Sequence, residues 1–527
     1  MRKKAVHSAI ILFILVFFYA QGFAQQKPIP LHTYYKTNFL KYSGKNAIES
    51  FYPANESQLN LNDSLRDTTI FYYDFVVWFF QRNWIELKQP EGKININPFI
   101  NLSYGRSLGG NDSLPLYRNM RGININGEFF NKVGFNFSLC ENQSRFQSYE
   151  SLYFEDRGEL YDQGNVYQKT NAVIPSGGRT KPFKADGYDY AYSFGMITYE
   201  VNKKLRIEAG NNPHFIGSGY RSLLLSDNSF YAPYVRLYWK ISPMLSYQVL
   251  YRKHRNLFRK PATLAVEKSY ENKLFSASYL TFKPLKNLAF SLFTAGNQLR
   301  ADSVSYYPVE GQMFVPLPLF NTDMAFESSR INGIAGLNID FALEKFKFYG
   351  QFVLDKYRQT YLTAFQAGGY YFDAFKVKNL NLQLEVNVVP DNFYASDNVK
   401  LNYSQYNMPL AHIKGNNFTE IYANVNYELR RLYGSYSFLV YQSRGGTINE
   451  QIYSNSIFQT DKAPQTFSSG STLIQTYEIG YRINRLYNPT LFAQTQIRSS
   501  VFGDTRNTFS YLMLGLKVNL NNQYLDF

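Results

Sequence analysis

The sequence predicts an all-β protein: a transmembrane antiparallel β-barrel of about eighteen strands behind a short N-terminal periplasmic helical segment. Three observations predict it. The first is composition: 46 Tyr, 45 Phe and 3 Trp make 18% of the 527 residues aromatic, yet mean hydropathy is negative. That mixture suits strands with one apolar and one polar face, ringed by aromatics at the membrane interfaces. The second is period-two alternation in segment after segment. The third is a regular exchange of short and long connections. A helical membrane bundle is excluded, because no apolar run of about 18 residues recurs after the N-terminus. The single cysteine, Cys140, excludes an intrachain disulfide and any CxxC metal or redox motif.

Taken in order, residues 1–24 read as a secretory signal. Arg2, Lys3 and Lys4 precede an apolar stretch from Ala9 to Ala20 and a small-x-small site, Gly22-Phe23-Ala24. Its removal takes the net charge from +15 to +12, since it carries three cations and no acid. Residues 25–92 form the periplasmic segment. Phe75, Trp78, Phe79 and Arg82 recur at helical spacing within 72–84. The helix they predict lies against the membrane interface or braces the barrel floor.

Residues 93–527 form the barrel. Leu380, Leu382, Leu384, Val386 and Val388 alternate with Asn381, Gln383, Glu385 and Asn387, and Leu512 to Leu520 repeats the pattern. Strands are expected at 93–105, 121–130, 133–142, 190–201, 205–211, 233–241, 245–252, 273–282 and 287–297. Nine more are expected at 331–341, 346–355, 365–375, 380–389, 418–428, 432–442, 472–483, 490–498 and 509–520. Every second connection is short, such as Asn131-Lys132 and Leu429-Arg430-Arg431, and the longest others are 143–189, 298–330, 390–417 and 443–471. Short turns facing the periplasm and long loops facing outward are the outer-membrane pattern, and closure satisfies every backbone group in lipid. The terminal Phe527 resembles the aromatic signal that barrels present for assembly.

The most distinctive stretch is 210–228, GNNPHFIGSGYRSLLLSDN, in an outward connection. Its apolar run, Leu223-Leu224-Leu225, is costly if exposed, so the loop is expected to fold inward or pack on a neighbour. Gly217 and Gly219 permit a tight reversal, and Ser226, Asp227 and Asn228 supply turn bonds. Arg221 is then held on a folded loop with Asp227 as its partner. Two roles are open to these residues: constricting the loop, or forming a glycan-binding or gating surface that takes in His214, Ser222, Arg221, Asp227 and Asn228. Inward-parity Arg206, Arg236 and Lys240 on adjacent strands make the nearby lumen net basic, which suits acidic sugars. Loop aromatics such as Tyr153 and Phe154 could stack on sugar faces.

The stretch resembles the G-x-G-x-R-S-L-L-L-S-D-N segment of a Bacteroidota outer-membrane family associated with gliding motility (RemB-like), itself related to the Wzi-type capsule-assembly barrels. The match is dense over 206–241, including Asn228 and Tyr234-Val235-Arg236, with looser similarity in the Trp78 to Trp84 helix and the lead into Ile96-Asn97-Pro98. The resemblance implies an eighteen-stranded barrel at the cell surface, with a role in retaining surface polysaccharide or in surface motility.

Other classes fit less well. Nucleic acid is a poor partner for an exported chain with scattered Lys and Arg. The mature chain has four histidines, His32, His214, His254 and His412, without metal-ligand spacing, so no metal or cofactor is expected. His214 with Ser218, Ser222 and Asp227 lacks a nucleophile elbow, so no enzyme is expected. A passive porin and a surface scaffold or adhesin of motility machinery remain the rivals. The expected partners are outer-membrane lipid, an acidic or neutral surface polysaccharide, the barrel assembly machinery, and motility or surface proteins for the motility role.

Overall fold

The computed structural model describes residues 28–54, 72–108, 115–162, 167–259, 270–301, 305–314, 330–444, 446–448, 465–467 and 469–527. The signal at 1–24 lies outside them. Among the described residues, eighteen antiparallel strands close into one barrel. They are β1 (92–107), β2 (Pro115–Phe129), β3 (Val133–Arg145), β4 (Gly187–Asn202), β5 (Leu205–Asn211), β6 (Pro233–Lys240), β7 (Leu245–Asn256), β8 (Glu271–Leu285) and β9 (Leu288–Ala301). The circuit continues with β10 (Ile331–Ala342), β11 (Phe346–Tyr357), β12 (Thr360–Tyr371), β13 (Leu380–Val389), β14 (Phe418–Leu429), β15 (Leu432–Ser443), β16 (Gly470–Arg482), β17 (Pro489–Phe502) and β18 (Thr505–Val518).

Closure is made by β18 on β1, from Tyr511 opposite Ser107 to Lys517 opposite Asn101. β1 is interrupted at Phe99-Ile100, and both of its halves pair with β2. Its lower half turns its free edge to Ile85–Gln89, so that edge is covered where β18 no longer reaches.

The faces are reversed relative to a soluble sandwich. Along β13 the buried row is polar, with Gln383, Glu385 and Asn387 inward, while Leu384 is 57% exposed. β14 repeats this with Glu420 buried and Ile421 exposed. An apolar row on the outside is stable where lipid, not water, covers it. The strand expectations hold in number and order, with shifts at most strand ends, the largest at the second and twelfth strands. The second strand starts at Pro115, the twelfth runs over Thr360–Tyr371, and the last stops at Val518.

The apolar core sits inside the barrel. The 25–92 segment divides: 28–54 enters the lumen, with helix α1 (Thr33–Tyr42) and a two-residue pairing of Phe51–Tyr52 with Phe215–Ile216. Helix α2 (Asp74–Gln81) stays outside at the short-turn rim, where Asn484 donates to the carbonyls of Phe79 and Arg82. Helix α3 (Ser148–Asp156) belongs to the long connection after β3. The tail 519–527 leaves the end of β18 and turns inward, and Phe527 stacks on Tyr153 at 3.6 Å. Phe527 therefore does not end a strand: β18 has finished nine residues earlier, and the aromatic joins the lumen core instead.

Candidate functional site

The 210–228 stretch folds inward, as its apolar run requires. Leu223, Leu224 and Leu225 are fully buried in one cluster with Phe275, Ile334 and Val353 of the barrel wall. Gly217 adopts φ +114, a conformation open to glycine, and a Cβ on Gly219 would lie 2.5 Å from Glu385 Oε2. Ser222 Oγ donates to the Ile216 carbonyl at 2.5 Å and accepts from the N–H groups of Leu224 and Leu225 at 3.2 Å each. These bonds hold the hairpin that carries the leucines.

The wall then pins the hairpin from several strands. Glu385 of β13 accepts from the backbone N–H groups of Tyr220 and Arg221 at 2.6 and 3.0 Å. Gln351 of β11 accepts from Leu223 N–H at 2.7 Å and donates to Ile216 O at 3.0 Å. Asp340 of β10 takes the hydroxyls of Ser218 and Ser50 at 2.5 and 2.7 Å. From below, Lys36 of α1 donates to Gly219 O at 2.5 Å and lies 3.8 Å over the Phe215 ring. Burial lowers the Lys36 ammonium to about 8, against the pull of Asp227 and Glu385.

Arg221 is buried, but Asp227 is not its partner. Its guanidinium lies 3.4 Å from Glu420 and 2.9 Å from Asp526, and donates to Tyr441 OH at 2.9 Å. Asp227 accepts instead from Tyr524 OH at 2.8 Å and Asn522 Nδ2 at 3.0 Å. The three leucines between them explain the separation, because burying that run sends its flanking residues to different neighbours. Burial also raises the Asp227 carboxyl above its ordinary value. Asn228 donates to Pro409 O at 2.8 Å, tying the loop to the 390–417 connection.

His214 is enclosed by the rings of Phe51 and Tyr234, at 5.9 and 4.3 Å, with Nε2 3.6 Å from Glu208. Burial holds its imidazole near about 3. Arg236 joins the group by donating to Glu208 at 2.7 Å and to Pro53 O at 2.8 Å. Arg206 is also buried, 3.7 Å from Glu200 and over the Tyr238 ring. Lys240 stands apart, exposed at the end of β6. Seven of the eight predicted residues are thus buried parts of the packing, closed to a polymer on the outer surface. The acceptors Glu385, Glu420, Asp340 and Gln351 were not singled out from sequence, although each occupies an inward position of an alternating strand.

Below this plug lies a polar cavity of about 360 Å³, between α1 and the wall from β12 to β18, with Arg118 of β2 also in its lining. Tyr42 and Arg485 line it at the short-turn end, while Tyr220, Tyr422 and Asp526 line it beneath the plug. Tyr220 stacks on Tyr422 at 4.0 Å and donates to Asp526 at 2.7 Å. Most of its cations are already neutralised. Lys41 pairs with Asp373 at 2.8 Å, Arg482 and Arg485 share Glu428 at 3.3 and 3.0 Å, and Lys517 pairs with Glu478 at 2.7 Å.

No family model matches the sequence, and no curated protein matches it by sequence similarity. Among solved structures, the fold is similar to that of Wzi of Escherichia coli, an outer-membrane protein involved in group 1 capsule assembly and a carbohydrate-binding β-barrel. The TM-score is 0.53 with 13% identity, over 94% of this chain and 100% of that one. OprD of Pseudomonas aeruginosa aligns at TM-score 0.41 and 11% identity, over 80% of this chain and 94% of its own. A BenF-like porin of Pseudomonas fluorescens Pf-5 aligns at 0.39 and 9%, over 81% and 98%. The chain is an outer-membrane β-barrel protein whose fold is similar to that of Wzi.

Proposed function

We propose that the protein is a non-enzymatic, non-conducting outer-membrane barrel that retains surface polysaccharide in capsule assembly or attachment. The observation that carries this reading is the plug. A diffusion channel needs a continuous aqueous path, whereas here a buried hairpin is bonded to β10, β11, β13 and β14 and capped by the tail. The fold likeness to a carbohydrate-binding barrel supports the same direction. In this reading Arg221, Ser222, Asp227, Asn228, His214, Arg206 and Arg236 form the gate, and glycan contact belongs to other surfaces. A part in gliding motility rests on the resemblance over 206–241. The test is the ratio of cell-retained to shed polysaccharide in a deletion strain complemented with the wild-type chain. Retention falls on deletion and returns with the wild type; unchanged retention on deletion would sink the proposal in favour of a motility scaffold.

A further inference from the structure

We propose that the cavity beneath the plug binds a hydroxyl-rich oligosaccharide segment entering from the periplasmic end. This deepens the polysaccharide reading and rests on it. The cavity, about 360 Å³, falls within the size of ordinary ligand sites. Its mouth is at the short-turn end, where the lining residue Tyr42 is 45% exposed. Short turns face the periplasm in this class of barrel. On the plug side the stacked Tyr220 and Tyr422 form part of the lining, and a ligand held there lies against the plug.

The chemistry of the lining selects the ligand. Asn38, Asn381 and Asn426 line the cavity, and among the described residues the amides of Asn38 and Asn426 make no hydrogen bond within the protein. The Asn381 Oδ1 is cut off from solvent without a partner. A carboxamide both donates and accepts, as a sugar hydroxyl does, so a hydroxyl-bearing ligand completes the amides of Asn38 and Asn426. The carboxylate-bound cations of the wall offer little to an anion. Arg118 also lines the cavity, but its guanidinium lies over the Phe146 ring and acts on the buried Glu150 carboxyl. The selected ligand is therefore a mostly uncharged glycan.

The buried and solitary Cys140 makes the site measurable. An Asn38→Cys reporter, with Asn426→Cys as a second, is reacted with a membrane-impermeant maleimide in the full-length barrel. The probe is oligosaccharide hydrolysed from the host cell's own surface polysaccharide. Labelling is expected only after the outer membrane is permeabilised, and saturating oligosaccharide is expected to slow it about tenfold. Adding Asn381→Leu to the reporter should remove that protection while the barrel keeps its folded gel mobility. Labelling of intact cells, or a rate indifferent to oligosaccharide with both reporters, overturns the site. If retention still depends on the protein in that case, the polysaccharide reading stands without this cavity; if neither effect is seen, both fail.

Discussion

At the scale of single residues, the plug is held by charges that have no water to return to. Arg221 joins the loop to Glu420 of the wall and Asp526 of the tail. Its removal leaves two carboxylates facing a buried gap, and breaking a buried pair in this way costs about 3–5 kcal/mol. We therefore expect Arg221→Ala to release the plug part of the time, read as channel openings in planar bilayers that the wild type lacks. Arg221→Lys should fall between the two, since one ammonium cannot serve the same fork of acceptors. These partners were hidden from the sequence because Glu420 is 199 positions away and Asp526 is 305. The nearby Asp227 was the natural guess, and the burial of the leucines between them is what made it wrong. Acid should act on the same lock. His214 and His32 are both held down to about 3, each by burial first, with Lys517 and Arg482 adding to the effect at His32. The undocked plug, with imidazoles near the usual 6.5, binds more protons than the docked one between about pH 6.5 and 3. Docking thus weakens as pH falls through that window, by up to about 1.4 kcal/mol per pH unit for each imidazole. Asp227 opposes this, because its raised carboxyl contributes docking strength at low pH that is lost as pH rises. Through the buried imidazoles, channel openings should increase between pH 7 and pH 5; a wild type equally silent at both would contradict that contribution.

At the scale of elements, legibility followed the solvent on each side. Strands such as β13 read clearly because lipid on one face and a polar lumen on the other enforce alternation. Helix α1 gave no such signal. Its sequence, TYYKTNFLKY, sits inside the barrel with apolar core beside Phe39 and a polar cavity beside Asn38. The tail was equally silent, since a Tyr-Leu-Asp-Phe ending suits a strand as well as a turn into the lumen. Helix α2 was legible from its spacing, and its exposure favours the membrane interface of its two expected seats. None of its residues is buried by protein, and Phe75 is 70% exposed. An apolar helix left uncovered at the rim is stable against lipid headgroups and acyl chains. In Trp239→Phe protein, the remaining emission of Trp78 and Trp84 should be quenched by lipids brominated near the headgroup. Unquenched emission would place α2 in periplasmic water.

At the scale of the whole molecule, two arrangements of one barrel lead to different functions. The wall alone would enclose an aqueous pore, because its inward rows are largely polar, with apolar residues such as Phe275, Ile334 and Val353 where the plug packs. Segment 28–54, the 210–228 hairpin, the 390–417 connection and the tail fill that space with a shared core. The cavity that remains is lined on its plug side by Tyr220, Tyr422 and Asp526. The central claim is that this lumen is closed in the resting protein. It is tested most directly by the conductance of the purified wild-type chain in a planar bilayer at neutral pH. A closed lumen predicts no large, steady channel in the wild type and openings in Arg221→Ala. Large, steady conductance from the wild type would contradict the plug and make the protein a diffusion porin.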